Sequence, residues 1–239
     1  MKATPAPSPN FNARVRPPDM VLLHYTGMPS FDAALARLTD PKAEVSAHYL
    51  IDEKGKVFAL VAEERRAWHA GVSSWRGETD INGASIGIEL DHPGHEFGYR
   101  PFAEAQIAVA LELLDDIRSR WTIPQERILA HADVAPARRA DPGELFPWKR
   151  LAEAGHGLWV EPEPAPGPVL KSDDDGPPVL LLQGALRRWG FGLPPTGLFD
   201  AATAAAVRAF QRHWVQGAID GAADGVVRAR LMALLRLAP

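Results

Sequence analysis

The sequence contains no cysteine. Disulfides and thiolate metal sites are therefore excluded, a lipid anchor on an N-terminal cysteine is not expected, and the redox compartment stays open. No apolar run is long enough to cross a bilayer, so membrane insertion is not expected. The N-terminus, Met1-Lys2-Ala3-Thr4-Pro5-Ala6-Pro7-Ser8-Pro9, lacks the apolar core of a secretory signal. A cytoplasmic location is the expectation, with a periplasmic one as the alternative if a signal has been trimmed away. A basic excess is missing too. The net charge is −4, which leaves little to neutralise phosphates and argues against a nucleic-acid partner.

What is present suits a soluble globular protein: 239 residues, 46% hydrophobic and 23% charged. The acidity has an address. Residues 161–178 hold five acids against one lysine, together with six prolines. Such a segment buries too little to fold and favours extended conformations, so it reads as a semi-rigid linker. Residues 1–18 are proline-rich and polar, an extended tail or strap. The expected layout is a tail over 1–18, a domain over 19–160, the linker, and a small domain over 179–239.

Within 19–160, apolar runs at 20–23, 48–51, 57–61, 85–90 and 127–130 predict strands. Lys54-Gly55 predicts a hairpin turn between the second and third. Phe31 to Leu38 predicts a short helix. Ile107, Ala110, Leu111, Leu114, Ile117 and Trp121 share one helical stripe. The fold class is α/β, a mixed sheet flanked by helices. After the linker, Val179, Leu182, Leu186 and Trp189 have helical spacing. Gly197-Asp200-Thr203-Val207-Phe210 is echoed in spacing by Gly221-Asp224-Val227-Leu231-Leu234. In each copy the aspartate is placed to cap a helix.

The richest stretch in chemistry runs from Ile128 to Trp148. A short strand delivers His131, a proline-punctuated loop carries Arg138 and Arg139, and Asp141 stands before Pro142-Gly143. Imidazole and carboxylate are zinc ligands, and catalytic zinc commonly takes three protein ligands with one position left to water. His24, after the strand-like run Met20-Val21-Leu22-Leu23, offers the third. His24, His131 and Asp141 would make an open site for one zinc per chain. The alternatives at this point are buried, hydrogen-bonded histidines and an aspartate that merely caps a turn. In the run Ser85 to Leu90, strand alternation sets Glu89 on the face opposite Ile86, Ile88 and Leu90, beside Gly87, which leaves room for a substrate.

The segments Leu23-His24-Tyr25-Thr26, Val45 to Asp52, Ala67-Trp68-His69-Ala70-Gly71, Ser85 to Leu90 and His131 to Trp148 stand in order. Together they resemble the zinc-dependent N-acetylmuramoyl-L-alanine amidases of the type-2 amidase family, which also includes phage lysozyme-type amidases and animal peptidoglycan recognition proteins. The resemblance covers roughly 19–160. It implies hydrolysis of the amide between N-acetylmuramic acid, anhydro or not, and the L-alanine of the stem peptide. It also implies that Glu89 is the general base, and it supports the ligand role of Asp141 by its spacing from His131. The family usually has lysine where Arg139 stands. Arginine keeps the charge but cannot donate a proton, so its implied role is to stabilise the oxyanion; whether Arg138 or Arg139 does so is open. His69 is expected to line the cleft and contact substrate. His48 and Tyr49 read as structural. Lysozyme-type relatives carry a catalytic tyrosine where this chain has Ala47.

The last 60 residues or so resemble a small three-helix peptidoglycan-binding domain, with Ala206-Val207-Arg208-Ala209-Phe210-Gln211 the most typical segment and Val227 where threonine is common. A helical oligomerisation module is the plainer reading of that part. Expected partners are peptidoglycan fragments or polymer, and the chain is expected to be a monomer. The rival reading of the whole is a non-catalytic peptidoglycan-recognition protein. Such proteins commonly lack a metal ligand, and all three are present here. His92, His95, His156 and His213 are expected on the surface, without a function.

Overall fold

The computed structural model describes residues 1–237. Its strands are β1 (Thr4–Pro5), β2 (Phe11–Ala13), β3 (Met20–Tyr25), β4 (Tyr49–Ile51), β5 (Val57–Ala59), β6 (Arg65–Ala67), β7 (Ser85–Leu90) and β8 (Ile128–Ala130). Six of them form one mixed sheet in the order β1-β5-β4-β7-β3-β8, while β2 pairs antiparallel with β6. At its centre β3 runs parallel to both β7 and β8. A parallel strand covered on both faces reads as a continuous apolar run, and Met20 to Leu23 are wholly buried. The hairpin from β4 to β5 turns at Lys54-Gly55, as expected. Gly55 has φ +82°, and a Cβ there would lie 2.8 Å from the Ala105 carbonyl oxygen, so the turn needs glycine for both conformation and space.

The helices are α1 (Phe31–Thr39), α2 (Ile81–Ala84), α3 (Gly94–Phe97), α4 (Glu104–Arg120), α5 (His131–Val134), α6 (Trp148–Glu153), α7 (Pro177–Trp189), α8 (Ala201–Phe210) and α9 (Gly225–Leu237). α1 is capped by Ser30, whose side chain accepts from the Ala33 N–H. α4 buries Ile107, Ala110, Leu113, Leu114 and Ile117. This is the expected stripe, except that Leu113 is buried and Leu111 and Trp121 are only half-buried.

The N-terminal segment is extended and stitched down along its length. β1 adds to the edge of the main sheet, where a proline costs no internal ladder bond. Arg14 then threads inward, and its guanidinium donates to the carbonyls of Gly83, Ser85 and Arg65. The proline-rich stretch after Val160 lies along the start of α9. Ala165 donates to the Gly225 carbonyl at 2.9 Å, and Arg228 reaches the carbonyls of Pro166 and Gly167, each at 3.1 Å. α7 begins at Pro177, two residues before Val179, because proline suits the first turn of a helix.

Both repeat aspartates cap helices. Asp200 accepts from the Thr203 N–H at 2.8 Å and Asp224 from the Val227 N–H at 2.9 Å. α8 continues into a π-helical turn over Gln211–Val215. One apolar cluster runs from β3 and β8 through Trp148 to Trp189, Phe210 and Leu234. Trp75, fully buried, meets Trp189 and Phe191 edge-on, so the C-terminal helices pack into the same core as the sheet.

Candidate active site

The sheet order gathers the chemistry at one edge. In the register of β3 and β7, His24 stands beside Glu89, while Leu23 stands beside Ala130 of β8. His131 follows Ala130 directly and opens α5. Three side chains from distant segments thus meet at the carboxyl ends of adjacent parallel strands, where α/β sheets commonly bind ligands. Asp141 arrives from the loop after α5, and its carbonyl accepts from the Ala132 N–H at 3.0 Å.

His24 Nδ1, His131 Nδ1 and Asp141 Oδ2 form a nearly equilateral triangle. The edges are 3.0 Å between the imidazoles, 3.1 Å from His24 to Asp141 and 3.0 Å from His131 to Asp141. Ligands held at 2.0–2.1 Å around a tetrahedral zinc lie about 3.3 Å apart, so the triangle has the right size. The donor set fits too. His131 Nε2 lies 3.0 Å from the Ala70 carbonyl, which can only accept, so that nitrogen carries the proton and Nδ1 presents a lone pair. His24 Nε2 is likewise engaged, 3.1 Å from His69 Nδ1. Lone pairs and a carboxylate converging on one buried point call for a cation, and among the described residues these three form the one such group.

Electrostatics supports a neutral His24 and an ionised Asp141. Burial, followed by the neighbouring His131, pushes His24 down to about 4, so it is neutral at ordinary pH. Burial alone would raise the Asp141 carboxyl, but His131 and His24 outweigh it and hold the group well below the usual carboxylate range. Glu89 goes the other way. Burial and the nearby Asp141 push it well above its ordinary value, against a smaller opposing pull from Arg139. Its Oε2 is buried without a hydrogen-bond partner among the described residues.

The cleft over these groups has a volume of about 380 Å³, and its walls include Glu89, Trp68, Arg139 and His95. The two arginines separate by contact. Arg138 donates to the carbonyls of Ala70 and Val72, both at 2.7 Å, and is tied to that loop. Arg139 lines the cleft, and its guanidinium makes no hydrogen bond with the described residues. His69 is almost wholly buried, with only its edge on the cleft wall. The room expected for substrate beside Glu89 is occupied instead, because a Cβ on Gly87 would lie 2.6 Å from the His69 ring.

The surface expectation for the remaining histidines is corrected in three cases. His92, His156 and His213 are each 2% exposed. His92 stacks on Phe102 and lies 2.7 Å from the Arg100 carbonyl; His156 meets Asp115 and Arg118; His213 meets Asp133 at 2.6 Å. The partners of His156 and His213 are remote in sequence, so no local pattern announces their burial, whereas those of His92 follow it within ten residues. His95 was missed as a cleft residue. It stacks on Tyr99 at 4.0 Å between ring centroids and sits 2.9 Å from the Tyr25 hydroxyl. Its place just past the end of the Glu89 strand was the available signal. His48 is structural as expected: its Nδ1 accepts from the Gly87 N–H and its Nε2 faces the Arg65 carbonyl.

The family model described as N-acetylmuramoyl-L-alanine amidase matches residues 14–144, and that of a peptidoglycan binding domain matches residues 175–231. The chain is 37% identical over 232 residues to the N-acetylmuramoyl-L-alanine amidase AmiD of Escherichia coli, covering 90% of this chain and 82% of AmiD. The structure of AmiD with the substrate anhydro-N-acetylmuramic acid-L-Ala-D-gamma-Glu-L-Lys superposes with a TM-score of 0.80 at 35% identity, over 95% of this chain and 92% of that one. AmpDh3 of Pseudomonas aeruginosa, in complex with anhydromuramic pentapeptide, gives a TM-score of 0.79 at 32% identity, over 91% of each chain. The chain belongs to the N-acetylmuramoyl-L-alanine amidase family.

Proposed function

We propose that the chain hydrolyses the amide between N-acetylmuramic acid, in its anhydro form above all, and the L-alanine of the stem peptide. The observation that carries this reading is the triangle of His24, His131 and Asp141 beside the strand that bears Glu89. The anhydro preference takes its support from the ligands named for AmiD and AmpDh3. We assign one zinc ion per chain to the triangle. When bound, zinc supplies a Lewis acid that polarises a carbonyl and acidifies water.

The chain's own groups supply the rest. Glu89, held at a raised pKa by burial, takes the proton from the attacking water and delivers it to the leaving amine nitrogen. Arg139 holds the negative charge that develops on the carbonyl oxygen, a role open to its guanidinium on the cleft wall. His69 touches substrate only along the cleft wall, and it keeps the His24 imidazole turned with Nδ1 toward the other two ligands.

Residues 19–160 are read as the catalytic part and 179–239 as a peptidoglycan-binding-like part, joined by the 161–178 linker. Because every catalytic group comes from one chain, we read the working unit as a monomer. No helix among the described residues is long and apolar enough to cross a membrane. The test is to incubate the purified chain with a defined anhydro-muropeptide and identify the products by mass. Free anhydro-N-acetylmuramic acid plus the intact peptide is expected. Cleavage at any other bond, or none with stoichiometric zinc bound, overturns the reading.

A further inference from the structure

α5 is a single turn of four residues, too short to hold itself by its own hydrogen bonds. Yet it fixes two of the three candidate metal ligands. His131 is its first residue, and its Ala132 N–H registers the Asp141 carbonyl. The turn is held by Asp133, wholly buried, whose Oδ2 accepts from the Ala130 N–H at 2.7 Å and stands 2.6 Å from His213 Nδ1. Because the carboxylate oxygen can only accept, His213 Nδ1 carries the proton and donates it.

His213 comes from the far end of the chain, in the π-helical turn that extends α8. Its ring is clamped between Trp148 and Trp214, each at 3.6 Å between centroids. Trp148 closes the loop that carries Asp141. Two residues past Trp214, Gln216 donates to the carbonyls of Glu144 and Phe146 in that same loop. The C-terminal helical part therefore grips both the start of α5 and the ligand loop.

We propose that His213, a residue of the peptidoglycan-binding-like part, is a positioning residue for the metal site. It sets His131 through Asp133 and the Asp141 loop through the stacked Trp148. Without its N–H, the Asp133 carboxylate is left in an apolar surrounding with one backbone donor, an arrangement that drives the side chain to seek another partner. The turn bearing His131 then loses its anchor. On this view the C-terminal helices are part of the machinery that builds the catalytic site, in addition to any hold they have on the wall.

The proposal rests on the metal-site reading above, and the test separates the two. Zinc affinity is measured by chelator competition on the full chain and on His213→Asn and His213→Gln. An asparagine amide nitrogen overlays the imidazole Nδ1, whereas glutamine carries its amide one bond further out. His213→Gln is expected to bind zinc roughly tenfold or more weakly, and His213→Asn to recover to within a few-fold. Equal affinity in wild type and His213→Gln overturns the proposal, as does an equal loss in both variants. Absence of zinc binding in the wild type overturns instead the metal-site reading. Should a variant fail to fold, the ring 15N resonances of His213 in the wild-type chain decide. They are expected to shift on addition of zinc, and unmoved resonances overturn the proposal.

Discussion

At the scale of single residues, the site sets two carboxyl groups apart by their surroundings. Asp141 faces two imidazoles and stays ionised, whereas the half-buried Glu89 is desolvated beside that charge and its affinity for a proton rises. A group that must take and return a proton gains from this shift. Glu89→Gln, nearly isosteric but unable to accept a proton, is expected to retain zinc and fold while turnover of a muropeptide drops roughly 10²–10⁴-fold. Turnover near wild type would remove Glu89 from the mechanism. The contacts of the two arginines give a second expectation. Arg139→Ala is expected to lose about 10²–10³ in turnover, as for loss of one oxyanion donor, while Arg139→Lys remains active. Arg138→Ala loses two bonds to loop carbonyls, so its cost belongs in thermal stability more than in the rate at saturating substrate. Steady-state kinetics and melting of the three variants check both statements. Of these residues, His24, His131 and Glu89 stand out in the sequence because they sit at or near the ends of plain apolar runs, and Asp141 through its spacing from His131 within the family resemblance. The choice between Arg138 and Arg139 was not, since adjacent loop residues differ only in where the fold points them.

At the scale of elements, β7 does two jobs with alternate side chains. Ile86, Ile88 and Leu90 fill the core, while Ser85, Gly87 and Glu89 face a layer built from His48, His69 and Arg14. Gly87 is the narrow point of that layer. In Gly87→Ala the new methyl would press on the His69 ring, and the strain of such overpacking is typically about 1–3 kcal/mol. A lower melting temperature together with weaker zinc binding is expected, because displacing His69 frees the His24 ring. Unchanged zinc affinity would show that His24 holds its orientation without His69. His48 ties the same strand to β6, and burial pushes it down to about 3 from an ordinary 6.5. The unfolded chain therefore takes up a proton near pH 6.5 that the fold refuses. Stability from this residue is complete above pH 6.5 and is lost as the pH falls toward 3, by about 2 kcal/mol at pH 5. Urea unfolding of wild type and His48→Gln at pH 7 and pH 5 should show a shallower pH dependence in the variant.

At the scale of the whole molecule, the candidate metal triangle joins segments more than 100 residues apart in sequence, and a bound ion would hold them together. Removing metal with a chelator is expected to abolish turnover and lower the melting temperature, with both restored by zinc. At free zinc a hundredfold above its dissociation constant, the expected gain over the metal-free chain is about 2.7 kcal/mol. A melting temperature unchanged by zinc would contradict a site built from the folded chain alone. The continuous core makes a further demand. Trp75, Trp148, Trp189 and Trp214 pack in one apolar cluster that spans the sheet and the C-terminal helices. A chain ended at Val160 would expose the faces of Trp75 and Trp148, so stronger binding of a hydrophobic dye and an earlier melt are expected. Dye binding equal to that of the full chain would mean that the sheet half closes over its own tryptophans.

The sequence by itself determined what short-range periodicity and residue chemistry encode. Apolar runs marked the central strands, Lys54-Gly55 marked the hairpin, the repeat aspartates marked two helix starts, and the order of His24, Glu89, His131 and Asp141 marked the family and the reaction. What only the tertiary structure decided were contacts between remote segments. These include the fit of His69 over Gly87, the binding of Arg138 to the Ala70–Val72 loop, the burial of His156 and His213, and the pairing of His213 with Asp133. The physical reason is common to all of them. Whether a polar side chain can be buried depends on finding a donor or acceptor of the right geometry, and that partner is supplied by the fold rather than by the neighbouring residues.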